Sequence, residues 1–305
     1  MKIAVRNSHS CHTINFLFYT YHMGNQEFEI ILNGGLGNQL FGWALGYSVS
    51  QATGLTCRFN TSRIEGRKFE LGAFGIVGYP SRPFQVILPN NRILKRAVMK
   101  FPNYLLRRWF VESGFRFQSK FLEPRDRVSY YGYFQSYKYF ENYGDQIREI
   151  LNLSEQKSGV FEAACTHILE VKPYAVHIRR GDYLGREDFH GLATKGFFDN
   201  AIKKVREVDD TATFVLFTDS PELTRDLISG VKYLPQVTDG HSSAETLVLM
   251  SKCKGLIGSN SSFSWWAAFL MPPHAIRIFP KPWFVNRSMD TADLLPSGWI
   301  QLDNS

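Results

Sequence analysis

The sequence predicts an α/β protein with doubly wound parallel sheets in two domains, and two observations lead to this expectation. The chain has 305 residues, which is enough for two domains of ordinary size. Beyond residue 170, short apolar runs alternate with segments of helical spacing, which is typical of a parallel sheet with crossover helices. We expect an N-terminal domain over 1–155 and a C-terminal domain over 156–305.

In the first domain, "EIILNGGLGNQLF" is typical of a strand, a glycine turn and a helix. Residues 30–32 form the expected strand. Apolar positions from Leu40 to Tyr47 have helical spacing, and Gly54 is the expected end of that helix. A further helix is expected over 137–153.

The second domain has a more regular pattern. Ser242 and Glu245 match a capping box, in which each side chain bonds the other residue's backbone N–H. Prolines at 272 and 273 must end the helix that follows "NSSF". The expected elements are, in order, a strand at 174–178, a helix at 196–208, a strand at 213–218, a helix at 221–228, a helix from 242, a strand at 255–259, a helix ending before 272 and a last strand at 275–280.

The composition is that of a globular protein, with 44% hydrophobic and 21% charged residues. The apolar run at 14–21 is too short to span a bilayer and is not followed by a signal cleavage site. Four widely spaced cysteines indicate neither a zinc site nor a disulfide framework. We expect a reduced, cytoplasmic protein.

The net charge of +7 comes from one segment. Residues 71–111 contain no Asp or Glu, and the remainder of the chain is balanced. Two interpretations stay open: contact with an anionic surface such as the inner face of a membrane, or a solvated basic face. No recognised nucleic-acid module is present, so we expect no nucleic-acid partner. The cations of the segment are Arg82, Arg92, Lys95, Arg96, Lys100, Arg107 and Arg108.

Two adjacent arginines follow the strand at 174–178, in "HIRRGDY". A guanidinium binds phosphate through paired hydrogen bonds, and a strand end is a rigid place to hold one. Because side chains alternate in direction along an extended chain, only one of Arg179 and Arg180 is expected to reach a ligand. Asp182 is expected to pair with an arginine, which leaves one arginine structural and one catalytic.

Three further stretches carry candidate functional residues. "GSNSSFSWW" ends a strand and begins a helix whose free N–H groups attract an anion, although the same pattern also forms a simple N-cap. "GGLGNQ" offers a similar turn. Asp219, which follows a strand, either accepts from a base or ribose or caps a helix. The loop acids and histidine of "REDFHG" are candidate general bases. No metal site is expected.

Together these motifs resemble the α-1,2-fucosyltransferase family of inverting glycosyltransferases, family 11. The resemblance rests on "GGLGNQLF", "HIRRGDY" and "LMSKCKGLIGSNSSFSWWAAFL", in that order, and covers residues 30–279. It implies a two-domain fold of the GT-B type with the active site between the domains and a Rossmann-like, donor-binding C-terminal domain. It also implies transfer of fucose from GDP-fucose to a galactose-like hydroxyl, with inversion and without a metal.

The resemblance assigns roles to individual residues. Arg179 holds the β-phosphate of the donor, and His177 and Asp219 lie near the guanosine. The expected general base is Glu187, which stands five residues beyond the motif's aspartate as in related α-1,6-fucosyltransferases, or His190, and this choice stays open. Asp182 completes the catalytic set. The other expected substrate contacts are Arg180, Ser261, Ser262, Ser264, Asn260, Gly35, Asn38 and Gln39.

Three positions depart from the family pattern and concern acceptor preference: Gly42 with Trp43, the residue after Asp219, and Gly255. The leading hypothesis is a bacterial fucosyltransferase that acts on an oligosaccharide or lipid-linked glycan of a surface polysaccharide. A related enzyme with another nucleotide sugar is the main alternative. A non-catalytic protein that binds an anionic ligand is a more distant one.

Overall fold

The computed structural model describes residues 26–64, 66–80, 109–124, 128–152, 159–181, 192–224, 228–286 and 289–304. Within these ranges the chain forms two parallel β-sheets with helices packed against them. The expected α/β fold of the GT-B type is therefore confirmed. The boundary predicted at 155–156 lies outside the described residues. The two sheets fall on either side of it.

The first sheet contains five strands in the order β3-β2-β1-β5-β4, and every pairing in it is parallel. The strand predicted at 30–32 overlaps β1, which begins three residues earlier and ends one residue earlier. The other four strands were missed. The strands are β1 (Glu27–Ile31), β2 (Thr56–Asn60), β3 (Gly78–Tyr79), β4 (Trp109–Val111) and β5 (Ser129–Tyr131).

The long helix α1 (Leu36–Thr53) follows β1 and ends as predicted. Gly54 is its C-cap, with φ of 73° in the left-handed region that glycine adopts without strain. The helix predicted over 137–153 is confirmed only at 144–150. Two 3₁₀ turns precede a short helix, α2 (Gly144–Ile150). Phe140 interrupts helical geometry with φ of −143°, and its ring packs against Trp265 and Trp266.

The second sheet has six parallel strands in the order β11-β10-β9-β6-β7-β8. Four predicted strands are confirmed to within one residue, but the strand at 275–280 is not the last, because β11 follows it at the sheet edge. The strands are β6 (Tyr174–Ile178), β7 (Phe214–Thr218), β8 (Val231–Lys232), β9 (Gly255–Gly258), β10 (Ile276–Lys281) and β11 (Ile300–Asp303).

Six helices accompany this sheet in the described part of the chain. The predicted capping box is confirmed: Glu245 N donates to Ser242 Oγ, and Ser242 N donates to the Glu245 carboxylate at 2.8 Å. None of the described helices combines the length and apolar character needed to cross a bilayer. The helices are α3 (Gly159–Val171), α4 (Lys195–Arg206), α5 (Pro221–Thr224), α6 (Pro235–Thr238), α7 (Ser243–Ser251) and α8 (Ser262–Leu270).

One aromatic core joins the two halves of the molecule. The Phe41 ring of α1 lies 4.6 Å from the Trp265 ring and 5.2 Å from the Trp266 ring of α8, measured between centroids. All three side chains are fully buried. At the N-terminal ends of these two helices, a Cβ added to Gly37 would lie 2.6 Å from the Phe263 backbone nitrogen. Helices α1 and α8 therefore begin side by side, and glycine permits this approach.

Candidate active site between the two sheets

A cleft of about 1160 Å³ lies at the carboxyl ends of the strands of both sheets. Strand order reverses between β1 and β5 in the first sheet and between β6 and β9 in the second, and such switch points are where parallel sheets bind ligands. The volume suits a ligand larger than a drug-sized molecule. Part of the lining comes from residues at or just after the ends of these four strands: Asn33, Gly34, Gly35 and Asn38; Tyr131, Tyr133 and Gln135; Arg179; and Asn260, Ser261 and Ser262.

Arg179 is held at the cleft surface by Asp219. The Arg179 Nε lies 3.0 Å from Asp219 Oδ2, and the two side chains are 23% and 25% exposed. Asp219 also accepts from the backbone nitrogens of Arg180 at 3.0 Å and Gly181 at 3.2 Å. One carboxylate thus orients the guanidinium and fixes the turn that carries it. The sequence had suggested Asp182 as the arginine's partner, and Asp182 lies outside the described residues.

Arg180 points away from its neighbour, as the alternation of side chains predicted. Its Nη2 donates to the Ala193 carbonyl at 2.7 Å, and burial lowers its pKa. Arg180 was also an expected substrate contact, but it is not among the described residues that line the cleft. The interpretation that one arginine faces a ligand and the other holds the loop agrees with this placement.

The start of α8 lies next to Arg179 because hydrogen bonds join β6 to the loop after β9. Ser259 Oγ accepts from Arg179 N at 3.2 Å, and Ser259 N donates to the His177 carbonyl at 3.0 Å. Ser261 is the N-cap, and its hydroxyl accepts from Phe263 N. A guanidinium and the positive end of a nine-residue helix therefore share one wall of the cleft, and both favour an anion.

His177 is a neutral group in this wall. It is 4% exposed, and its Nδ1 lies 2.5 Å from the hydroxyl of Ser264, which is fully buried behind the cleft surface. Burial, reinforced by the positive charge of Arg179, lowers the pKa of His177 to about 3. The imidazole therefore carries no charge near neutral pH. It can hydrogen-bond a ligand but cannot balance a phosphate.

On the first-sheet side of the cleft, where α1 begins beside α8, Gln39 braces the start of α1 from behind. Its Nε2 donates to the carbonyls of Gly34 and Lys68, and its Oε1 accepts from Glu70 N. Glu70 in turn accepts from Leu36 N at 3.0 Å. Glu70 was missed because it lies 34 residues from its partner and no local pattern signals the contact. The N-terminus of α1 therefore already holds a carboxylate, while the cations Arg63, Arg67 and Lys68 of the same side also line the cleft.

Several predicted site residues have no described position. Asp182, Glu187 and His190 lie outside the described residues, as does the basic segment 82–108. The choice between Glu187 and His190 as general base stays a prediction. No group of three or more His, Cys, Asp or Glu side chains that could hold a metal is found in the ranges the structure describes.

The cleft is also lined by aromatic side chains that no sequence motif indicated: Phe115 and Tyr133 from the first-sheet half, and Phe284, which follows β10 of the second sheet. The rings of Phe115 and Tyr133 are stacked, with centroids 6.2 Å apart and 19° between their planes. Phe115 also contacts Phe284, with centroids 5.0 Å apart. All three line the cleft. We call Phe115, Tyr133 and Phe284 the aromatic wall.

A carboxylate at the end of β4 supports this wall. Glu112 Oε2 accepts from the backbone nitrogens of Tyr133 at 2.7 Å and Phe134 at 2.9 Å, and Phe134 has a φ of 53°. The other carboxylate oxygen, Glu112 Oε1, is buried without a hydrogen-bond partner in the described residues. Burial raises the pKa of Glu112 to about 7, although the two N–H groups and Lys120 oppose the change.

Glu112→Gln is expected to flatten the pH dependence of stability. Because the folded-state pKa of Glu112 lies above that of the unfolded chain, the folded state binds more protons between pH 4.5 and 7 and loses stability as the pH rises. The loss is up to about 3 kcal/mol, and glutamine abolishes it. Urea unfolding from pH 4.5 to 8 measures the difference. The exposed Glu123→Gln is the control, and parallel curves for Glu112→Gln and wild type would contradict the expectation.

Comparison with known proteins agrees with the motifs in the cleft. The model of glycosyl transferase family 11 matches residues 3–303. An Escherichia coli α-1,2-colitosyltransferase is 30% identical, covering 89% of this chain and 97% of the relative. The E. coli O-antigen biosynthesis glycosyltransferase WbnK is 26% identical, covering 89% and 99%. The fucosyltransferase NodZ from Bradyrhizobium is 14% identical, covering 81% and 94%, with a TM-score of 0.43. The chain belongs to glycosyl transferase family 11 and is a glycosyltransferase.

Proposed function

We propose that this protein transfers L-fucose from GDP-fucose, with inversion, to a galactose-like hydroxyl in an α-1,2 linkage. The observation that carries the proposal is the Arg179 guanidinium, which Asp219 holds beside the N-terminus of α8. The E. coli relative named as an α-1,2-colitosyltransferase supports the linkage and the class of donor, because colitose is the 3-deoxy analogue of L-fucose.

In this mechanism the bond between the sugar C1 and the β-phosphate oxygen breaks as the acceptor oxygen bonds to C1. Negative charge grows on the leaving GDP, and Arg179 and α8 stabilise it more in the transition state than in the ground state. Inversion requires the acceptor to approach from the face opposite the diphosphate. The acceptor proton passes to a base, for which Glu187 and His190 are the candidates.

The same wall supports a reaction without a divalent cation, because a guanidinium and a helix terminus already supply positive charge to a diphosphate. This is an expectation about the enzyme in solution. Turnover that is unchanged by EDTA and by added Mg²⁺ is the expected outcome, and abolition by EDTA with rescue by Mg²⁺ would contradict it.

The acceptor we propose is a glycan of a surface polysaccharide, carried on a lipid at the cytoplasmic face of the membrane. The similarity to WbnK supports this role. The contact of segment 82–108 with anionic lipid rests on its charge alone. Reversing the charges of Arg92, Lys95 and Arg96 is expected to lower sedimentation with anionic liposomes, and unchanged sedimentation would remove the membrane contact from the proposal.

The experiment that tests the function compares GDP release from GDP-fucose and GDP-colitose, and UDP release from UDP-galactose, with and without lactose. Acceptor-stimulated release from GDP-fucose, with an α-1,2 product by NMR, is the expected result. Selective use of GDP-colitose would favour the donor of the E. coli relative. Binding without turnover for every donor and acceptor would favour a non-catalytic anion-binding protein.

A further inference from the structure

The cleft is lined both by cationic groups and by aromatic rings. Arg179 and the start of α8 lie on the second-sheet side, and Arg63, Arg67 and Lys68 lie on the first-sheet side, where Glu70 occupies the N-terminus of α1. The aromatic wall also faces the cleft. Tyr133 is 44% exposed, which is unusual for a large side chain beside a continuous aromatic core. An exposed ring in a cleft suggests a surface for a ligand.

The loop that carries Tyr133 is held at each residue from Gly132 to Gln135. Asn33 Nδ2 donates to the Gly132 carbonyl at 2.7 Å, Glu112 accepts from the next two backbone nitrogens, and Gln135 Nε2 donates to Asn38 Oδ1 at 2.8 Å. A ring mounted on such a loop is held in position before a ligand arrives, which lowers the entropic cost of binding.

Gly132 allows the carboxylate to approach the loop. A Cβ at this position would lie 2.5 Å from Glu112 Cβ and 2.6 Å from Glu112 Oε2. The Phe115 ring backs the Tyr133 ring. The wall is therefore fixed by backbone contacts as well as by ring packing, unlike a surface tyrosine that rotates freely.

The chemistry of a galactose-like acceptor matches this wall. One face of the galactopyranose ring presents several C–H groups, and such a face packs against the electron-rich face of an aromatic ring, while its hydroxyls bond polar groups at the edge. Gln135 and Asn38, at the edge of the wall, offer amide groups for these hydroxyls. Tyr133 and Arg179 line the same cleft, so an acceptor stacked on this ring would share the cleft with the donor.

We propose that Tyr133 is the surface on which the acceptor sugar ring stacks, with Phe115 behind it and Glu112 as the residue that positions it. The inference rests on the proposed function, since it takes the acceptor to be a hexopyranose. It assigns to the aromatic wall a binding role that is distinct from the binding of the donor.

Tyr133→Ala is expected to raise KM for lactose roughly tenfold or more, the loss of one well-packed aromatic contact. KM for the donor and the affinity for GDP are expected to stay within about twofold, because Tyr133 follows β5 of the first sheet whereas Arg179 and α8 belong to the second. Tyr133→Phe keeps the ring and is expected to keep most of the affinity for lactose. Tyr133→Leu keeps the bulk without the ring, is expected to follow alanine, and serves if the alanine variant does not fold.

The role of Glu112 has its own readout. Glu112→Ala removes the carboxylate that accepts hydrogen bonds from Tyr133 N and Phe134 N. It is expected to raise KM for lactose and to leave the affinity for GDP unchanged. Glu112→Gln keeps an acceptor oxygen and is expected to restore most of the lost affinity. A rise in KM for donor and acceptor together in Glu112→Ala would show a general structural role and overturn the positioning role.

The experiments distinguish a failure of this inference from a failure of the proposed function. If wild type shows no acceptor-stimulated release of nucleotide with any galactose-terminated glycan, the proposed function fails. If wild type transfers sugar and both Tyr133→Ala and Tyr133→Leu keep the wild-type KM for lactose, the stacking role of Tyr133 is overturned. A selective rise in KM for lactose in these variants supports it.

Discussion

Arg179→Ala is expected to lower kcat about a hundred- to a thousandfold, the usual effect of removing one preorganised group that stabilises charge in a transition state. The protein is expected to remain folded, because Asp219 keeps its bonds to the backbone nitrogens of Arg180 and Gly181. The measurement is acceptor-stimulated GDP release from GDP-fucose, after thermal unfolding has confirmed the fold.

Two controls sharpen this experiment. Arg179→Lys retains the charge but not the planar pair of donors, so it is expected to recover only part of the activity. Lys204→Ala removes a cation from an exposed ion pair with Glu207 on α4 and is expected to leave kcat unchanged. Wild-type turnover in Arg179→Ala would show that the guanidinium is not used on the leaving group.

Gly37→Ala is expected to destabilise the protein by about 3 kcal/mol, at the upper end of the cost of overpacking. The added Cβ would meet the Phe263 nitrogen and the Ser262 carbonyl carbon at 2.6 Å. Both are backbone atoms, so the clash can be relieved only by separating α1 from α8. Since α8 provides the proposed anion site, activity is expected to fall as well.

Gly35→Ala is the matched control. Gly35 lies two residues earlier, its φ is −81°, and a Cβ there would have no heavy atom within 4 Å. Its unfolding free energy in urea is expected to stay within about 0.5 kcal/mol of wild type. Equal stability of the two variants would show that the helices adjust to the extra carbon and that the close approach is not required.

Most of the second sheet could be predicted because its signals are local. Strands β6, β7 and β9 are mostly apolar runs, as expected where both faces of a parallel strand are buried. The capping box of α7 and the C-cap of α1 depend on residues within one turn of the helix end. Such elements need no knowledge of the rest of the chain.

The missed elements lack such signals. Strands β3, β4 and β5 have two or three residues, too few to show a period, and they exist because neighbouring strands pair with them. The helix expected over 137–153 has a helical pattern in its sequence. Burial of the Phe140 ring among the tryptophans of α8 outweighs that local preference.

The sequence by itself determined the α/β fold, the family, and the wall that holds Arg179, because glycines, caps and buried strands are encoded by adjacent residues. Only the tertiary structure decided which groups meet across the cleft. Asp219 as the partner of Arg179, Glu70 at the start of α1, and Glu112 beneath Tyr133 all join residues more than 20 positions apart. Such contacts form only when whole helices and sheets pack and bring distant segments of the chain together.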